Sequence, residues 1–253
     1  MNPDDRRSLR RQLLALALPL MASNLSQSLL SLTDTLMVGH LSDERPLAAL
    51  GHANVVILVI FLVMSAPFLG IQALVARRLG EGRERAAGQV ATSGLVLGTL
   101  SGIAFGFAGW LFADDVAVLV AQDRDVTRLA ADYLQIRWTF ALPITLLWAW
   151  RGFLYGASRT RFDMGVALTV NALNVLLTWM LIWGKWGAPE LGMPGAAWGS
   201  ALATTTGALM MAGDSLRPSI RRRYGIYGKG QVDLKIMAAI VRLSMPRAVQ
   251  AMA

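Results

Sequence analysis

The sequence predicts an all-α integral membrane protein: a bundle of six transmembrane helices followed by the start of a seventh. Three observations carry this. Hydrophobic residues make up 55% of the 253 positions and charged residues only 16%, far from the soluble norm of about 25% charged. The apolar residues fall in long charge-free runs. Arginines collect in every second interval between those runs. Mean hydropathy is +0.47. This composition excludes a disordered chain, a coiled coil and most soluble enzymes.

Spanning a hydrocarbon core of roughly 30 Å takes about 20 apolar residues as helix, because lipid satisfies no backbone polar group. The runs give spans at about 12–36, 47–76, 86–112, 132–156, 163–184 and 194–213. The first is too long, and lacks the small-residue cleavage site, for a signal peptide. The fourth carries Arg137 and Arg151 near its ends, where long side chains snorkel to the interface. Pro19, Pro67 and Pro143 lie in or near span ends, where proline bends or breaks a helix. In the third span Gly94, Gly98, Gly102, Gly106 and Gly109 form a small-residue stripe, which lets helices approach closely and reads as packing.

Basic residues orient the spans. Arg6, Arg7, Arg10 and Arg11 precede the first; Arg77, Arg78, Arg83 and Arg85 follow the second; Arg159 and Arg161 follow the fourth. Arg217, Arg221, Arg222, Arg223 and Lys229 follow the sixth, whereas the 113–132 interval is rich in Asp. The asymmetry puts the N-terminus and the 214–233 segment in the cytoplasm. Net charge is +8, and on so apolar a chain it reads as topology signal and contact with membrane lipid, not nucleic-acid binding.

The segment IVRLSMPRAVQAMA (240–253) aligns without gaps on LLALALPLMASNLS (13–26), Pro246 on Pro19 and Leu243 on Leu16. The expectation is that 1–213 is one six-helix unit, 214–233 a basic linker and 234–253 the opening of a second, parallel unit. The chain would then be a fragment or a half-length protein.

Cys is absent and only His40 and His52 occur, so no thiolate or multi-histidine metal centre is expected, nor any other bound cofactor. No Ser-His pair, zinc motif or Asp dyad falls at membrane depth, which argues against an intramembrane enzyme. Asp34 is the one acidic residue placed within a span. It lies fifteen residues past Pro19, about 22 Å further along a helix. A carboxylate there marks an ion or substrate path, or is a solvated helix end near Gly39 and His40. Asn171, Asn174 and Thr178 share one face of the fifth span, either as cation-binding oxygens or as interhelical hydrogen-bond groups. Ser200 is a weaker candidate on the sixth. Gln27, Asn54 and Gln72 are candidates to line a path. Met21, Met37, Met64, Trp148, Trp150 and Trp179 either contact apolar substrates or face lipid and core, and Trp110, Trp183 and Trp186 read as interface anchors.

These residues sit in a recognisable series: LALPLMASNLSQSLLSLTDTLMVGHL, GIQALVARRLGEGRERAA, YLQIRWTFALPITLLWAWRGFLYGASRTRFDM, NALNVLLTWMLIWG and GMPGAAWGSALAT. In this order the chain resembles the N-terminal half of the multidrug and toxic compound extrusion (MATE) family, most closely its DinF-like branch. The resemblance implies a plasma-membrane protein of twelve helices in two lobes. It would export organic, often cationic, small molecules in exchange for protons or sodium ions. It also implies that Asp34 binds the coupling cation, with Asn174, Thr178 and Ser200 beside it, and that Pro19 bends the first helix. This chain departs from the branch at Thr178, where members often carry a second Asp. That leaves one carboxylate and puts both a sodium site of the usual charge and a two-carboxylate relay in doubt. The alternatives are a lipid-linked precursor flippase of the same superfamily, which would favour a more cationic cavity, and a non-transporting half-length membrane module.

Overall fold

The computed structural model describes residues 21, 25, 28, 29, 32–41, 43–121, 123–228 and 230–250, the last five by backbone alone. Pro19 and Gln27 lie outside the described residues. Residues 32–39 are helical (α1). Then follow α2 (Arg45–Gly80), α3 (Glu84–Val120), α4 (Arg124–Thr139), α5 (Ala141–Gly156), α6 (Thr160–Trp183), a 3-10 turn (Lys185–Gly187), α7 (Met193–Leu216), α8 (Pro218–Tyr224) and α9 (Leu234–Gln250). Among the described residues there is no strand. By length and hydropathy α2, α3 and α6 are long and apolar enough to cross a membrane.

Four sequence expectations need correction. The fourth span is not one helix but α4 and α5, meeting at Phe140. Pro143 explains the break, because it has no N–H to donate to the carbonyl of Thr139. By contrast α2 runs on through Pro67 for 36 residues without a break. The Asp-rich interval is largely helical: α3 continues past Asp114 and Asp115 to Val120. Only then does Asp123 cap α4, accepting from the N–H groups of Asp125 and Val126. Finally, the basic linker starts later than 213 and contains a helix, since α7 reaches Leu216 and α8 follows.

Small residues set the packing. A Cβ on Gly102 would stand 2.7 Å from the Cα of Leu142, and one on Gly98 3.2 Å from the carbonyl oxygen of Thr145. The Thr145 hydroxyl donates to the Gly98 carbonyl at 2.7 Å. The glycine stripe of α3 is thus the seat of α4 and α5. The other face of α3 carries Leu100, Ile103, Phe107, Trp110 and Leu119, all exposed and Leu119 by 83%. An exposed apolar band opposite a buried small-residue face is how a helix sits between protein and lipid. Two core clusters close the bundle. Ile71, Val90, Trp150, Phe153, Met211 and Tyr224 fill the arginine-rich end; Val38, Leu50, Ala117, Leu134, Ile182 and Met193 fill the other. Helix α9 lies on α2, where Gly70 admits Ile240 and Ser244.

Candidate functional site

Asp34 on α1 meets α6 and α7 near the end opposite the arginines. Asn174 and Thr178 stand one turn apart on α6, both fully buried, and fully buried Ser200 faces them from α7. The two helices come this close because residue 199 is glycine: a Cβ there would sit 2.7 Å from the Thr178 amide nitrogen and 2.8 Å from its Cα. Gly195 does the same one turn earlier, against the backbone of Leu181. Close approach lets short side chains bridge two backbones.

The resulting network has one direction. Ser200 Oγ donates to Asp34 Oδ2 at 2.6 Å, and Thr178 Oγ1 points its hydroxyl at Asp34 Oδ1 over 3.5 Å. Asn174 Nδ2 donates to Ser200 Oγ at 2.8 Å and to Thr178 Oγ1 at 3.4 Å. Asp34 itself is 6% exposed. Neutral donors hold the carboxylate directly, while Arg137 and Tyr133 lie within electrostatic reach. Asn174 Oδ1 is buried and, among the described residues, has no hydrogen-bond partner. A buried acceptor left open is costly, and this one can take a hydrogen bond or ligate a cation beside Asp34. Carboxylate, amide and hydroxyl oxygens converging on one spot suit a proton or a hard cation. Among the described residues no three His, Cys, Asp or Glu side chains cluster.

Gly199→Ala is therefore expected to cost about 1–3 kcal/mol, the usual penalty for overpacking. Gly213→Ala, where nothing lies within 4 Å of the added carbon, is expected to leave stability unchanged or raise it by about 0.5–1 kcal/mol. Thermal unfolding of the two variants in one detergent compares them.

Asn171 is half-buried on α6 and bonds to none of the four; Asn54 and Gln72 are half-buried on α2, also outside the network. Met64 is buried, Met37 half-buried and Met21 exposed. Trp150 is core, stacked on Phe153. Trp110 and Trp186 are exposed and Trp183 half-buried.

Sequence reasoning missed two other buried carboxylates. Asp34 is not the one acidic group inside the bundle. Asp163, at the start of α6 and fully buried, accepts from Arg151 Nε at 2.6 Å and from the Tyr155 hydroxyl at 2.7 Å. Arg151 is 4% exposed and stacks on the Trp148 ring at 4.8 Å, so it pairs inside the protein and does not snorkel. Asp214, near the end of α7, is buried and takes Trp150 Nε1, Arg159 and Arg217 at 3.3 Å each. Arg137 is half-buried, its Nε lacking a hydrogen-bond partner among the described residues. It lines a cavity together with Arg151, Phe61, Trp148 and Thr204. The available signal was the R-G-x-x-x-G-x-x-x-T-R run, which sets Arg151 and Arg159 just before Asp163.

Residues 19–180 match the MatE family model. The chain is 28% identical over 200 residues to a probable multidrug resistance protein NorM of Thermotoga maritima, covering 79% of this chain and 43% of that protein. It is 29% identical over 244 residues to the NorM of Rhizobium meliloti, covering 96% and 52%. The chain thus spans about half the length of the curated relatives it matches. In fold it is similar to a MOP superfamily transporter from Pyrococcus furiosus, described as having a binding pocket of reverse polarity that suggests a different function. The TM-score is 0.86 at 22% identity, over 95% of this chain and 52% of that one. The DinF-like likeness rests on the motifs alone. With the model matched over most of the chain and the bundle superposing on one half of a transporter, this protein belongs to the MatE family of multi-pass membrane transporters.

Proposed function

We propose that the complete protein exports organic, cationic compounds in exchange for protons, with Asp34 as the exchanging group and sodium as the alternative ion. In this reading 1–216 form one lobe, 217–233 the cytoplasmic linker and 234–253 the first turns of a second lobe, in the plasma membrane with the N-terminus inside. The relatives' description as probable multidrug resistance proteins supports the substrate class. The observation that carries the mechanism is a carboxylate only 6% exposed whose direct partners are neutral hydroxyls. A buried negative charge without a bound cation is costly. A proton or a cationic substrate relieves that cost in turn, and this alternation is antiport. Thr178 leaves the site one carboxylate, which favours a proton, since sodium gains from further negative charge and several oxygen ligands.

Ethidium efflux from proteoliposomes holding the complete protein tests this. A proton gradient is expected to drive transport and a sodium gradient alone is not; Thr178→Asp is expected to add sodium dependence. Transport driven by sodium alone, with no response to pH, would overturn the proton assignment.

The lipid-linked precursor flippase is favoured by one observation: Arg137 and Arg151 line a common cavity, contrary to their reading as span-end residues. Failure of the cationic dye to move under either gradient would support that alternative.

A further inference from the structure

Two cavities share a wall at the arginine-rich end. One, of about 220 Å³, lies among α3, α5 and α7 and is lined chiefly by carbon, with Leu95, Leu146 and Ala208 among its walls. The other, of about 430 Å³, lies beside α8 and is lined by Arg221, Arg222 and the turn after them. Tyr227 belongs to both linings. It is one of three described non-glycine residues with left-handed backbone, at φ 63°. Such a conformation persists only where the surroundings impose it. Here the Tyr227 N–H donates to Thr92 Oγ1 at 3.3 Å, and its hydroxyl meets Ser215 Oγ at 2.8 Å.

The arginines near α8 divide into two kinds. Arg217 pairs with Asp214 and Arg223 with Glu84. Arg221 and Arg222 are exposed and, among the described residues, meet no acidic group. They stand on α8, just past the end of α7, where the apolar helices of the bundle give way to charge. Two unpaired guanidinium groups on one side of a fixed tyrosine, and an apolar cavity on the other, match an anionic head joined to a hydrocarbon chain. A free anion would leave the apolar cavity unexplained, and an uncharged lipid would leave the arginines unexplained.

We propose that this end of the protein holds one anionic phospholipid, its phosphate on Arg221 and Arg222 and an acyl chain in the cavity behind Tyr227. Basic side chains beside a membrane surface each add about fivefold to anionic-lipid binding. The site is separate from Asp34, and its occupancy does not depend on the coupling ion.

Native mass spectrometry of the complete protein, released from detergent with either phosphatidylglycerol or phosphatidylcholine, reads the site. Phosphatidylglycerol is expected to be retained in preference. The double variant Arg221→Gln/Arg222→Gln is expected to lose about 30-fold of that preference. Both side chains are exposed, so an unchanged melting temperature verifies that the fold is intact. Ala208→Leu, which narrows the apolar cavity, is expected to weaken phosphatidylglycerol retention with the arginines untouched. An equal preference in wild type and double variant would overturn the proposal. So would full displacement of the lipid by inorganic phosphate together with no effect of Ala208→Leu, which would mark a simple anion site.

Discussion

Asp34→Asn is expected to reduce gradient-driven efflux in the complete transporter to the level of empty liposomes, with expression and membrane insertion unchanged. Asparagine keeps the shape and hydrogen-bonding capacity of aspartate but carries no exchangeable charge. Its side-chain oxygen can still accept from Ser200, which now lies 2.6 Å from Asp34 Oδ2. Folding therefore survives while the proton has nowhere to bind. Ser200→Ala and Asn174→Ala should do less. Ser200→Ala removes a hydrogen bond to a charged group, a loss of about 1.5–3 kcal/mol, yet leaves the carboxylate in place. Asn174→Ala removes the donor to Ser200 and the open acceptor, again sparing the carboxylate. A ranking in which either alanine variant is worse than Asp34→Asn would shift the exchanging role away from Asp34.

Arg151→Leu is expected to be the most destabilising single change in the bundle, at about 3–5 kcal/mol, the cost of stranding a buried charge. It leaves Asp163, fully buried, with the Tyr155 hydroxyl as its remaining hydrogen-bond partner among the described residues. The double variant Arg151→Leu/Asp163→Leu should recover much of the loss, because no charge is then left unpaired. Arg159→Leu should cost less, since Arg217 and Trp150 still serve Asp214. Thermal unfolding of the purified variants orders the three.

The helices were legible because lipid imposes a simple rule, and charge-free runs obey it. The break between α4 and α5 was less so. Pro143 marks it, but Pro67 in α2 breaks nothing, and surroundings decide between the two. The glycine stripe was readable as packing, but not its partners, Leu142 and Thr145. The spacing of Asn174 and Thr178 put them on one face; that this face turns to Ser200 and Asp34 depends on Gly199, a contact between helices that no local pattern encodes. Buried ion pairs were hardest to read. Arg151 and Asp163 are twelve residues apart on different helices. Arg151 read as a span-end charge, and no local pattern singled out Asp163 as its partner. The basic linker read as topology signal in contact with lipid, yet Tyr224 presses its carbonyl against Gly88 and Arg223 pairs with Glu84.

The central claim is that cationic substrate and proton compete for one carboxylate. Proton release on ethidium binding, followed with a pH indicator in weakly buffered detergent solution, tests it most directly. The wild-type transporter should release protons into solution as the dye saturates, and Asp34→Asn should bind dye, if at all, without release. Dye binding to wild type with no proton released, or equal release from both proteins, would contradict the account.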